Sequence, residues 1–338
     1  MKEKSNARRS FVKNSLGISA SLGILPGISL IAQEEDNQTR PGQGQYRLDN
    51  PLIMLDGFHN AKRTNYSIKA RINAARLAGY QGIELVTLDP ASQNFQEDID
   101  AVVASGLQYN GAYFLAFGVV DYDVHKLEQT IENIHLLARM GKEAGLSYIN
   151  LALQGHGELK GENVSESGSA LAEHRHWERA EKMLTHFEQA CAEHNIKGQI
   201  YPHSYYIADT PVAAVKLLKR ANATHVTPAW AVHHWYLNSN AGTIQELFSI
   251  PEYQNLQYVL MSNLITFKDG SSRGTKFDLG EIDMAYILAV LLDRQYAGPI
   301  ASYGSKIGDP YQAAEAFVKT LHGYVERFNK YPELWPLL

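Results

Sequence analysis

The stretch GQIYPHSYYI, residues 198–207, runs from an apolar segment into His203, flanked by Tyr201, Tyr205 and Tyr206. A second stretch, AWAVHHWYL, residues 229–237, sets His233 and His234 side by side between Trp230 and Trp235. Imidazole titrates near neutrality, so it can act as a general base or ligate a transition metal. A tyrosine beside it can donate a hydrogen bond to a developing enolate oxygen. These residue types suit proton abstraction next to a carbonyl, with His203 or His234 as base, Tyr201 or Tyr303 as acid, and Glu84 as an orienting group. Glu84 sits in GIELV, where a carboxylate is costly unless it is paired or touches a ligand. A salt bridge to a nearby Lys or Arg is the structural alternative. Neighbouring residues of a strand face opposite ways, so at most one of His233 and His234 should face a common site.

Other polar and aromatic residues fall where apolar runs end. Asp56, His59, Gln154, His156, Asn263 and Lys306 are candidates for hydrogen-bonding a substrate, and Trp230 is a candidate for stacking on a substrate ring. Trp230 also suits a core, while Trp235, Tyr205 and Tyr206 offer further stacking surface. Lys268 and Asp269 precede Gly270 and read as ordinary turn residues; HRHW, residues 174–177, reads as the solvated start of a helix.

Positioning these groups requires an ordered scaffold, and the chain alternates strand and helix signals from about residue 50. PLIMLDGF, GIELVT, YNGAYFLAFGV, YINLALQ, GQIYPH, HVTPAWAVHH, LQYVLMSNLITF and PIASYG read as strands. Between them lie amphipathic helices such as KLEQTIENIHLLARMGKEAG, with Leu127, Ile131, Ile134 and Ala138 at helical spacing. A polar insert, GHGELKGENVSESGSA, separates the fourth strand from the helix His174–His194. Eight strand–helix units imply parallel pairing and an α/β fold, a (β/α)8 TIM barrel over residues 50–330, with a short tail at 331–338. An open doubly wound sheet is disfavoured because LDGFHNAKR lacks the Gly-rich phosphate spacing. In such a barrel the strands' carboxyl ends form the functional mouth, which is why strand five should finish on polar side chains.

The 338 residues are 45% apolar, enough for a substantial core, and the net charge of −5 argues against a nucleic-acid partner. The single cysteine, Cys191, falls in a helical stretch and reads as a core residue. ARRSFVKNSLGISASLGILPGISLIAQ carries Arg8, Arg9, Phe11 and Lys13 ahead of a weakly apolar run to Ala32. That pattern predicts a twin-arginine-type signal over residues 1–32, a flexible leader at 33–49, export in the folded state and a periplasmic mature protein. The membrane would be touched only through that signal.

The chain resembles the sugar phosphate isomerase/epimerase superfamily, the xylose isomerase-like TIM barrels, over roughly residues 50–328. The resemblance rests on GYQGIEL, IYPH, FDLGEIDMAYILAVLLDRQYAGPI and GDPYQAAEAFVKTL, in that order. It implies a carbohydrate substrate and one divalent cation (Mn²⁺, Mg²⁺ or Zn²⁺) held by a Glu on strand five, an Asp on strand six, a His on strand seven and a Glu on strand eight. Those positions fall on Tyr201, on Ala231 (with His234 following), near Met261 or Ser262, and on Tyr303 or Ser302. Alanine and methionine cannot hold a hard dication, and a neutral tyrosine is a poor ligand. The usual metal site is therefore not expected. The leading reading is a sugar isomerase or epimerase working without that site; the alternative is a catalytically silent barrel that binds a saccharide or a partner. A nuclease-like relative would need a multi-zinc cluster of His, Asp and Glu, which the mouth does not supply.

Overall fold

The computed structural model describes residues 46–57, 66–120, 123–155, 157–268, 270–303 and 309–332. The expected signal, nearly all of the leader, His59, His156, Asp269, Lys306 and the chain beyond residue 332 lie outside the described residues.

The barrel strands are β1 (Leu52–Leu55), β2 (Gly82–Thr87), β3 (Gly111–Ala116), β4 (Tyr148–Leu153), β5 (Lys197–Ile200), β6 (Val226–Pro228), β7 (Trp230–Ala231), β8 (Val259–Met261) and β11 (Ile300–Tyr303). Their order is β6-β5-β4-β3-β2-β1-β11-β8-β7, with every pair parallel. β6 and β7 are consecutive in the chain and together occupy one strand position. The Ala229 N–H donates to the Ile200 carbonyl on one side at 2.9 Å, and the Trp230 N–H donates to the Tyr258 carbonyl on the other at 3.0 Å. This change of partner closes the sheet into a ring with eight strand positions, as the sequence rhythm predicts.

The interposed helices are α1 (Ile68–Ala78), α2 (Gln93–Ala104), α3 (Val124–Ala144), α4 (His174–His194), α5 (Pro211–Arg220), α6 (Val232–Leu237), α7 (Ile244–Ser249), α8 (Pro251–Gln254), α9 (Met284–Asp293) and α10 (Pro310–Lys330). Side chains end them where the sequence signals it. Ser67 caps α1 by accepting from the Ala70 N–H, and Gly79 closes that helix at φ 96°. Such a left-handed conformation is open to glycine at no steric cost. Thr210 caps α5 by accepting from the Ala213 N–H, and Pro211 follows at the first helical position.

Strand alternation divides the apolar residues into two layers. Ile53, Leu55, Tyr113, Tyr148, Tyr201, Tyr258 and Leu260 pack together in the lumen. Met54, Ile83, Leu85, Phe114, Leu151 and Met261 pack outward among the helices. Gly111 gives the Tyr148 ring its place in the lumen, since a Cβ there would lie 2.3 Å from that ring.

Two elements depart from the sequence expectation. The sixth strand ends at Ala231, and Val232–Leu237 continues as helix, so His233 and His234 belong to a helical turn rather than to a strand. The stretch expected as one seventh strand divides into β8 and β9 (Leu264–Thr266), and β9 pairs antiparallel with β10 (Ser272–Gly274) as a hairpin outside the barrel.

Candidate functional site

β5 delivers Tyr201 to the carboxyl end of the barrel, and the chain then turns tightly. The His203 N–H donates to the Ala208 carbonyl at 2.9 Å, and the Tyr206 N–H donates to the His203 carbonyl at 3.0 Å. Within this loop Tyr205 takes φ 70°, an uncommon conformation for a bulky residue. The end of β4 holds the loop from outside, because a Cβ on Gly155 would lie 1.8 Å from the Tyr205 carbonyl oxygen. Only glycine permits that approach.

His203 Nδ1 lies 2.8 Å from the Ser204 carbonyl oxygen. A carbonyl can only accept, so Nδ1 carries the proton and, in the neutral ring, Nε2 carries the lone pair. Ser204 also reaches the neighbouring element, with its Oγ 3.0 Å from His234 Nδ1. The His203 and His234 rings lie 3.8 Å apart at their centroids, and those of His234 and His233 lie 3.9 Å apart. Tyr206 stacks on the far side of His203 at 4.0 Å, and Tyr303 lies parallel to His233 at 6.3 Å. The result is a row of five rings from buried Tyr206 to exposed Tyr303. Tyr201, buried, meets Tyr113 edge-on at 5.0 Å and His234 edge-on at 6.0 Å.

The adjacent histidines therefore do not point to opposite sides. A helical turn rotates successive side chains by about 100°, not 180°, and this lets both rings join the row. His233 Nδ1 is buried and has no hydrogen-bond partner.

Electrostatics keeps His233 and His234 neutral. Burial, reinforced by His203, pushes His233 down to about 3. Burial first, then His203 and His233, holds His234 well below the usual imidazole range. Burial raises the Tyr201 and Tyr113 hydroxyls well above 10, so both remain protonated donors.

Glu84 takes a different place. It is buried in the lumen, where its carboxylate accepts from Asn150 Nδ2 at 2.7 Å, from the Tyr148 hydroxyl at 3.2 Å and from the Tyr258 hydroxyl. Burial raises it to about 7 against the pull of those three hydrogen bonds. Its partners are two tyrosines and an amide rather than a Lys or Arg. Tyr148 opens β4, Asn150 lies within it and Tyr258 immediately precedes β8, so all three sit inside apolar runs that read as core in the sequence.

The remaining candidates separate. Gln154 stands half-buried at the end of β4, its N–H donating to the Ala116 carbonyl at 2.9 Å. Asp56 is buried and pairs with Arg71, which also reaches Asp98 at 3.1 Å, so it is tied to the helical layer. Trp230 is 1% exposed and packs edge-on against Trp235 and Phe248 in the outer layer. Its residue number places it on the outward side of the strand, away from the lumen. Asn263 accepts the Leu264 and Ile282 N–H groups and donates to the Phe277 and Ile282 carbonyls, which makes it a backbone staple. None of these last three faces the ring row. Tyr206 and His233 belong to the row, and Tyr113 borders it through Tyr201.

The donor set does not fit the divalent cation that the fold family implies. Tyr201 is a buried neutral phenol, Ala231 has no donor, and Met261 packs among the helices. Ser302 turns behind the sheet, where its Oγ lies 2.7 Å from the Tyr80 hydroxyl. Among the described residues, no three His, Cys, Asp or Glu side chains are grouped to hold a metal ion.

A closed parallel barrel with its polar cluster at the carboxyl ends defines the class of protein. The chain belongs to the xylose isomerase-like TIM barrel family, whose model matches residues 72–320. An L-ribulose 3-epimerase structure superposes with TM-score 0.64 at 13% identity, covering 84% of this chain and 97% of the other. A 3-keto-D-glucoside 4-epimerase from E. coli gives TM-score 0.61 at 15% identity, covering 80% and 99%. A D-allulose 3-epimerase from Methylomonas sp. in complex with D-allulose gives 0.59 at 18%, covering 86% and 99%. No curated protein matches the sequence significantly.

Proposed function

We propose that the protein acts on a carbohydrate by abstracting a proton next to a carbonyl, as a sugar isomerase or epimerase that works without the family's divalent cation. The observation that carries this reading is the fixed tautomer of His203, whose Nδ1–H is committed to the Ser204 carbonyl and whose Nε2 is the basic nitrogen. His203 Nε2 takes the proton, the C–H electron pair becomes the double bond of an enediolate, and the carbonyl π pair moves onto oxygen, which accepts a hydrogen bond from a tyrosine hydroxyl. Tyr201 or Tyr303 supplies that donor; Tyr201, with its raised pKa, stabilises the oxyanion without surrendering its proton fully. His234 and Ser204 position the base. Returning the proton to the neighbouring carbon, with the hydroxyl proton passing to the former carbonyl oxygen, isomerises the sugar; taking up a solvent proton on the opposite face of the enediolate, while His203 loses its own to solvent, epimerises it. The three epimerase neighbours support a sugar substrate at the level of fold. Gln154, with His59, His156 and Lys306, is assigned to the sugar hydroxyl groups, and Glu84 orients the site from the lumen.

The test is exchange of a substrate C–H with solvent deuterium, followed by NMR over a panel of ketoses and aldoses that includes D-allulose and L-ribulose. Exchange that is lost in His203→Ala supports the reading; equal exchange in that variant refutes it. The four non-ligating residues at the family's metal positions favour a second reading, a saccharide-binding barrel without turnover. Saturable sugar binding by calorimetry, with no exchange in any added metal, would select it. We further propose export through the twin-arginine-type segment to the periplasm, testable by fractionation and by replacing Arg8 and Arg9 with lysine.

A further inference from the structure

A second imidazole pair lies on the helical layer. His135 of α3 and His186 of α4 are both half-buried between two helices that pack together, and His135 Nε2 lies 3.3 Å from His186 Nδ1. Their rings meet at 79° with centroids 5.6 Å apart. Between neutral rings this contact is one N–H pointing at one lone pair, an arrangement of two nitrogens around a single proton.

Two metal–nitrogen bonds of about 2.05 Å at the tetrahedral angle set their nitrogens about 3.3 Å apart. The helix pair already holds that separation. Imidazole is a good ligand for the borderline and softer divalent transition ions and a poor one for Ca²⁺ or Mg²⁺. Burial, then His135 and Lys182, lowers His186, so protons compete weakly for its lone pair at neutral pH.

We propose that His135 and His186 form an interhelical site for one divalent transition metal ion, Zn²⁺ or Cu²⁺, with water completing the coordination. On binding, the N–H···N contact breaks and two metal–nitrogen bonds form. The ring that held its proton on the ligating nitrogen carries it on its other nitrogen instead, so no net proton leaves at neutral pH. The site clamps α3 to α4 and is independent of the chemistry assigned to the mouth.

The test uses the untagged protein, titrated with Zn²⁺ by calorimetry and followed by thermal unfolding with and without EDTA. The expected result is one equivalent bound, a rise in Tm that EDTA reverses, and a tenfold or greater loss of affinity in His135→Ala and in His186→Ala. In the Cu²⁺ form, electron paramagnetic resonance should show two coordinating nitrogens in the wild type and one in a single variant such as His135→Gln, which reads the site even where alanine variants fold poorly. Absence of saturable binding by the wild type overturns the proposal. So does binding that survives in the double variant, or that is lost in His203→Ala instead.

Discussion

His203 and His234 arrive from different elements and are joined through one residue, Ser204, whose carbonyl takes the His203 N–H and whose hydroxyl meets His234 Nδ1. The base and its neighbour are thus held by the loop that follows β5. Removing the base by His203→Ala should lower the rate of solvent exchange by on the order of 10²–10⁴-fold. Ser204→Ala removes only the bridge to His234. It should cost less, and it should act on the rate more than on the apparent affinity, which a kcat against KM comparison measures.

Acid should weaken the fold through His233. Its folded pKa of about 3 lies below the ordinary imidazole value of 6.5, so the unfolded chain binds a proton that the native site refuses. Stability should therefore fall as pH drops from about 6.5 towards about 3. Urea unfolding at a series of pH values should show this slope reduced in His233→Gln, which cannot titrate.

Glu84 should act with the opposite sign. Its folded pKa of about 7 stands above the ordinary carboxyl value of 4.5, so stability should fall as pH rises from 4.5 through about 7, by about 3 kcal/mol at most. Glu84→Gln removes the titrating group. Its unfolding free energy relative to wild type should improve from about pH 4.5 and level off above about pH 7, and a difference that stays constant with pH would show that the carboxyl is not the cause.

The contact between Gly155 and Tyr205 should be intolerant of any side chain. Gly155→Ala introduces a Cβ 1.8 Å from the Tyr205 carbonyl oxygen, and backbone cannot yield as a side-chain tip can. A loss of about 1–3 kcal/mol in stability is expected, together with reduced exchange activity because the displaced loop carries His203.

Trp230 separates packing from recognition. With 1% exposure in the outer layer, Trp230→Ala should cost about 3–5 kcal/mol by chemical denaturation. Trp230→Phe should fold and keep the sugar affinity of the wild type, measured by calorimetry, as a core residue would.

Much of the architecture was legible because each strand is an apolar run closed by a turn residue and each helix keeps its apolar face in register. Gly79 marks the end of α1, and Thr210–Pro211 marks the start of α5. The carboxyl-end rule points to Tyr201, His203, His234 and Tyr303, whose rings lie near one another along the row. What remained hidden depends on tertiary choices. AVHH reads equally well as strand or as a first helical turn over so short a span, and the choice decides whether two imidazoles meet. Asp56, Trp230 and Asn263 lie near strand ends, but which face each takes is set by register, and register is fixed only when the ring closes. Glu84 was marked by its unfavourable setting in GIELV, yet its partners come from β4 and the residue before β8, distant in sequence and set within apolar runs.

The change of partner at Ala229 makes the sixth strand the latch of the barrel. Two successive amides point to opposite neighbours, so slipping the strand by a single position would break both attachments together. The same slip would swing the Trp230 indole inward and plug the lumen, while Ala229 and Ala231 turned out towards the helices. The small residues on one side of this strand and the large one on the other therefore act as a key that admits one alignment and rejects its neighbours.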